Sequence, residues 1–190
     1  MEEKRFIVLV VGFVVSALAF SRIPGQEEWA EANRKVLRLE AASFPQLPDP
    51  VKEYLTRNGF KIPQASDLKE PHNVIRGRFM RAGRLDWAVL ASKDLQSAVL
   101  IFPGGSTDDV IQLARNDDRN YLQVFSSGVI GFSRRISTVD TGYILAHYER
   151  YGGPKPPRID HEGINDVFIG KGSVIHYFYG GRWFALTGAD

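Results

Sequence analysis

His72, His147, His161 and His176 are the four histidines of the chain, and one of them stands in a run of acids, Asp160, His161 and Glu162, with Asp166 shortly after. Imidazole ionises close to neutral pH, so a histidine oriented by carboxylates can carry a proton or share a metal. Asp160, His161, Glu162 and His176, with Glu149 and Asp166 as further acids, are thus the groups from which a cell-envelope hydrolase would be assembled. Neighbouring residues of a strand or loop point to opposite sides. His161 and Glu162 therefore do not form the helical i, i+4 arrangement of zinc hydrolases. A nucleophilic serine is not indicated either: Gly-x-Ser-x-Gly does not occur, and Gly105-Ser106 and Gly172-Ser173 both fall in turns. Catalysis needs an acid or base held in register by partners, and no such set is legible. No metal or cofactor is expected.

A different chemistry is written into Ser173 to Gly188, SVIHYFYGGRWFALTG. Gly180-Gly181 suits a two-residue hairpin turn, which sets Tyr179 opposite Arg182, Phe178 opposite Trp183, Tyr177 opposite Phe184 and His176 opposite Ala185. Alternation then puts Tyr177, Tyr179, Arg182 and Phe184 on one face, and His176, Phe178 and Trp183 on the other. Both faces are aromatic. A strand pair of this kind is buried on one side and covered by a helix on the other, or it leaves an aromatic face free to bind glycan or protein. The preferred reading is an exported, non-enzymatic binding or inhibitor-like module that uses Tyr177, Tyr179, Arg182 and Phe184. The hydrolase is the alternative.

The element on which the rest packs is residues 74–102, three short strands with turns at Arg81-Ala82-Gly83 and Ser92-Lys93-Asp94. Leu85, Trp87, Val89 and Ala91 alternate with Asp86, Ala88 and Leu90, whereas Ala98 to Phe102 is apolar throughout. Gly77, Phe79, Gly83, Leu85, Asp86, Ala88 and Val89 resemble the FG-GAP or VCBS repeat over residues 77–89. That family's acidic loop holds calcium, which takes about six to eight oxygens. The first three ligand positions are Arg78, Met80 and Ala82 here, so the resemblance implies the turn geometry without the metal, with Asp86 bonded to nearby amides or an arginine. The element occurs once, and a propeller needs several.

Around this element, Glu27 to Ala41 permits a helix with Trp29, Ala32, Val36 and Leu39 on a narrow stripe. Asp49 and Pro50 open a second helix to Arg57, and Phe60 to Pro63 reads as an edge strand. Thr107-Asp108-Asp109 predicts a cap for a short helix at Val110 to Ala114. Tyr121 to Phe125, Val129 to Thr138 and Ile164 to Ile169 read as strands, with Arg134 and Arg135 facing opposite ways. Gly142 to Tyr151 fits strand or helix, and the spacing of Ile144, Tyr148 and Tyr151 before Gly152-Gly153-Pro154 favours helix.

Residues 1–19 form a signal peptide by pattern: Lys4 and Arg5, then apolar residues, then Ser16-Ala17-Leu18-Ala19. Phe6 to Phe20 is 15 residues long, short of the roughly 20 that span a bilayer. No stable membrane insertion is expected after cleavage, although an uncleaved anchor is the alternative. The net charge of +2, mixed among 22 acidic residues, excludes nucleic acid as an expected partner. Cysteine is absent, so disulfides and thiolate metal sites are excluded. The expectation is a periplasmic or secreted protein with a protein or glycan ligand of the cell envelope. Its parts are a leader at 1–19, a helical lead segment at 20–43 and one α+β domain at 44–190. That domain is expected to be a twisted antiparallel sheet of about six to eight strands, with two or three short helices packed on it.

Overall fold

The computed structural model describes residues 24–189. The leader, its cleavage point and the uncleaved-anchor alternative concern residues outside that range. No helix of the described residues is long and apolar enough to cross a membrane.

Helix α1 spans Gln26–Lys35, with Glu27 and Glu28 in its first turn and Arg34 and Lys35 in its last, the charge order that the helix dipole favours. The chain then makes strand β1, Arg38–Leu39, which pairs antiparallel with β2, Ile62–Pro63. Between them lies α2, Asp49–Arg57, where Pro48 occupies the N-cap and Pro50 the first turn. Asp49 is therefore inside the helix, and its carboxylate meets Lys52 Nζ at 3.3 Å in place of capping.

Two four-stranded meanders follow. The first contains β3 (Val74–Gly77), β4 (Asp86–Lys93), β5 (Gln96–Phe102) and β6 (Ile111–Asp117), hydrogen-bonded in that order. A small hairpin of β7 (Leu122–Val124) and β8 (Ile130–Phe132) separates it from the second meander. That one contains β9 (Arg134–Val139), β10 (Gly163–Phe168), β11 (Gly172–Tyr179) and β12 (Arg182–Ala189), again in sequence order. Helix α3, Thr141–Tyr151, joins β9 to β10, and Asp140 caps it by accepting the Tyr143 N–H at 2.8 Å.

Strand alternation divides the apolar residues among three cores. Val89, Ala91, Ala98, Leu100 and Phe102 face Val51 and Leu55 of α2. Ala88, Leu90, Val99 and Ile101 face the opposite way, onto Ile136 and Ile164 of the second sheet. On that sheet's far side, Ile175, Tyr177 and Leu186 pack with Ile144 of α3. The layers are helix, sheet, sheet, helix, so both faces of each sheet are covered over most of their extent. This explains why Ala98 to Phe102 is apolar without alternation.

The α+β class is thus observed, but the sheets hold two to four strands each and not six to eight. The break falls where edges β3 and β9 meet. Asn73, the residue before β3, has φ 72°, so the chain enters β3 from a left-handed residue. Its side chain substitutes for the missing pairing: Oδ1 accepts the Ile136 N–H at 3.0 Å, and Nδ2 donates to Pro63 O at 2.6 Å. Thr138 Oγ1 adds a bond to Arg76 O at 3.3 Å.

A second correction concerns Val110 to Ala114, which enters strand β6 and forms no helix. Ile111 and Leu113 turn inward while Gln112 and Ala114 are exposed, a period of two that serves the free edge of β5. The β4–β5 turn is also shifted. Ser92 and Lys93 belong to β4, and the turn consists of Asp94 and Leu95, at φ 53° and 59°.

Candidate functional site

The β11–β12 hairpin has the register read from its sequence: Tyr179 opposite Arg182, Phe178 opposite Trp183, Tyr177 opposite Phe184 and His176 opposite Ala185. Gly180 and Gly181 sit at φ 56° and 84°, the left-handed pair that a tight hairpin turn of this twist requires. Tyr177 and Phe184 stack with centroids 5.4 Å apart and planes 13° from parallel. Above them the Arg182 guanidinium lies 4.5 Å from the Phe184 ring centre. Tyr148 and Ile159 pack with this cluster from the helix side. Helix α3 therefore covers the inner part of the aromatic face. Tyr177 is only 2% exposed, whereas Tyr179 is 46% exposed. Arg182 is exposed and Phe184 half-buried. Burial pushes the Tyr177 hydroxyl pKa up, as a core residue's would be.

Opposite that face, Phe178 and Trp183 meet edge to face at 5.6 Å, and His176 lies between the sheets. His176 Nε2 is 3.8 Å from Asp166 Oδ2. Asp166 is committed elsewhere: Arg134 Nε and Nη2 donate to its two oxygens at 2.9 and 2.6 Å. Burial opposes ionisation of Asp166, but Arg134, by its hydrogen bonds and charge, and the neighbouring His176 outweigh it and hold the carboxyl below its ordinary pKa.

The acidic run is occupied as well. Glu162 Oε2 accepts the Arg78 N–H at 2.7 Å, and Glu162 N–H donates to Arg78 O at 2.8 Å. His161 is buried, with Nδ1 3.1 Å from Glu162 O. Asp160 is exposed and lines a cavity of about 570 Å³ between α3 and Pro156–Ile159, to which neither His161 nor His176 contributes. Among the described residues, no group of three or more histidine, aspartate or glutamate side chains is placed to hold a metal ion.

In the 77–89 element, Asp86 is fully buried and accepts from Met80 N at 3.1 Å, Arg84 Nε at 2.7 Å and Gly104 N at 2.9 Å. It therefore ties the loop to the end of β5. This is the bonding to amides and an arginine read from its surroundings.

Sequence reading passed over Arg134. Its side chain is fully buried and spans both sheets, donating to Ser97 O and Oγ at 3.2 and 3.0 Å and to Ala114 O at 2.9 Å. The Tyr121 ring lies 4.3 Å from its guanidinium carbon. The one sequence signal was alternation, which set Arg134 and Arg135 on opposite faces. Arg135 indeed faces outward, 3.4 Å from Asp67.

Comparison of the chain with protein-family models, with curated proteins and with solved structures gives no match.

Proposed function

We propose that the chain is an exported, non-enzymatic binding module of periplasmic or secreted location, and that the tip of the β11–β12 hairpin meets its protein or glycan ligand. The observation that carries this reading is the Arg182–Phe184–Tyr177 stack, rooted in the core and beside the exposed Tyr179. A planar cation held against a ring in this way loses little conformational entropy on binding, and Tyr and Arg are the residue types that dominate interface energetics. The tip, Tyr179 and Arg182, is the contact, and Phe184 and Tyr177 are its support. A hydrolase built on Asp160, His161, Glu162 and His176 lacks comparable support, because Glu162 and Asp166 are spent on Arg78 and Arg134 and Asp160 lines a cavity without the imidazoles.

The test is capture of envelope components on the immobilised protein, compared with a Tyr179→Ala/Arg182→Ala variant. Losing two contacts at a binding hot spot should cost about 2 kcal/mol or more, roughly 30-fold in affinity, with circular dichroism and thermal midpoint unchanged. Equal capture by the folded variant would remove the hairpin tip from the interface.

A further inference from the structure

Helix α2 leaves one end of the first sheet's outer face uncovered, and the residues there are polar. Gln112 pairs with Leu100 and so shares the face that Leu100 turns toward α2. With Phe60, Lys93, Asp94, Gln96 and Arg115 it encloses a cleft of about 300 Å³ over the buried Ala98.

The backbone is shaped around this cleft. Between β5 and β6 the register shifts between Ser97 and Val99, where Asn116 and Leu113 are the partners. Ala114 and Arg115 both stand against Ala98, as in a bulge, and Ala114 has φ 51°. A bulge re-aims the side chain it carries. Here that side chain is Arg115, whose Nε donates to Gln96 Oε1 at 2.9 Å. At the other end, Asp94 and Leu95 hold their left-handed turn. Four non-glycine residues among those described have positive φ; Asp94 lines this cleft, and Leu95 and Ala114 are the chain neighbours of the lining residues Gln96 and Arg115. Such conformations are costly and collect where a site must be held in shape. The remaining wall is aromatic. Phe60 stacks with Tyr54 at 6.5 Å, and Lys93 Nζ lies 6.0 Å from the Phe60 ring centre.

We propose that this cleft binds a saccharide. Two amides, a guanidinium, an ammonium and a carboxylate can donate to and accept from ring hydroxyls in several directions at once, and an aromatic wall suits the apolar C–H surface of a sugar ring. A volume of about 300 Å³ is at the small end of ligand pockets, which run from roughly 300 to 1,000 Å³. One sugar unit fits that scale. Lys93 and Arg115 against the single Asp94 extend the class to sugars bearing a carboxylate.

The experiment is saturation-transfer NMR on the full chain with glucose, N-acetylglucosamine and glucuronate as probes and acetate as the charge control. The expected result is transfer from at least one saccharide and none from acetate. Gln112→Ala and Arg115→Ala, both at exposed positions, should each weaken that saccharide about tenfold, the change expected for one lost hydrogen bond to a charged or well-placed group. Their thermal midpoints should not move. The Tyr179→Ala/Arg182→Ala variant should bind the sugar normally, which separates this cleft from the hairpin tip. Transfer from no saccharide, transfer from acetate equal to that from glucuronate, or full binding by both single variants would each overturn the assignment.

Discussion

Arg134 and Asp166 are both buried between the sheets, and each satisfies the other with two hydrogen bonds. Asp166→Asn leaves a guanidinium in the interior without its counter-charge, and should lower unfolding free energy by about 3 to 5 kcal/mol in urea titration. A double change, Arg134→Met with Asp166→Leu, removes both charges and should cost clearly less than the sum of the single changes. Protonation acts on the same pair. The Asp166 carboxyl is held below its ordinary pKa, so its contribution is complete above the unfolded value near 4 and is lost as pH falls through the folded one. His147 shifts for another reason: burial disfavours its imidazolium and lowers its pKa. The unfolded chain takes up that proton first, so stability is full above about pH 6.5 and declines as pH drops below it. Thermal midpoints between pH 7.5 and 5 should fall in the wild type, with a shallower slope in His147→Gln. An equal slope would show that His147 is not the group responsible. Alternation revealed that Arg134 and Arg135 part company, but nothing local says which of the two is buried. That depends on Asp166, which is 32 residues away.

Among the elements, the β11–β12 hairpin was legible down to its register, because Gly180-Gly181 permits one kind of turn and the pairing follows by counting. Strand β6 was not. Thr107-Asp108-Asp109 has the composition of a helix cap, while the demand that overrides it comes from the open edge of β5. The aromatic face of the hairpin was legible as a face but not as a surface, since whether Tyr177 is core depends on where α3 lies. The β4–β5 turn reads too early in the sequence, at Ser92-Lys93-Asp94, for a related reason: Leu95 is a poor candidate for a left-handed residue, yet it has φ 59°. Its carbonyl accepts the Asp118 N–H at 2.8 Å, a bond that any residue would keep. Leu95 is 39% exposed, so truncation to glycine would also forfeit the packing of its covered part, whereas asparagine keeps a side chain and tolerates the left-handed region. Leu95→Asn should therefore raise stability by about 0.5 kcal/mol through relief of backbone strain, seen as a higher urea midpoint with unchanged m-value. A lower midpoint would mean that the Leu95 side chain contributes more than its conformation costs.

At the scale of the molecule, the two sheets look separable by strand pairing, since no ladder joins β3 to β9. Everything else joins them. Leu90, Val99 and Ile101 share a core with Ile136 and Ile164, Arg134 reaches Ser97 and Ala114 across the gap, and Asn73 binds the Ile136 amide. The apolar residues on both faces of β4 and β5 made a covered sheet legible, but no local signal says that β3 and β9 meet without a ladder. The consequence is that neither sheet should persist without the other, because parting them exposes a core and a buried ion pair at once. The chain has three tryptophans, Trp29, Trp87 and Trp183, of which Trp87 is on β4 and Trp183 on β12. Variants that retain Trp87 alone or Trp183 alone place the fluorophore on β4 of the first sheet or on β12 of the second. Within each variant, the urea midpoint from fluorescence should coincide with that from far-ultraviolet circular dichroism, and adding Asp166→Asn should move both by the same amount. If Asp166→Asn instead lowered the Trp183 transition and left the Trp87 transition in place, the sheets would be separate folding units and the contacts between them incidental to stability.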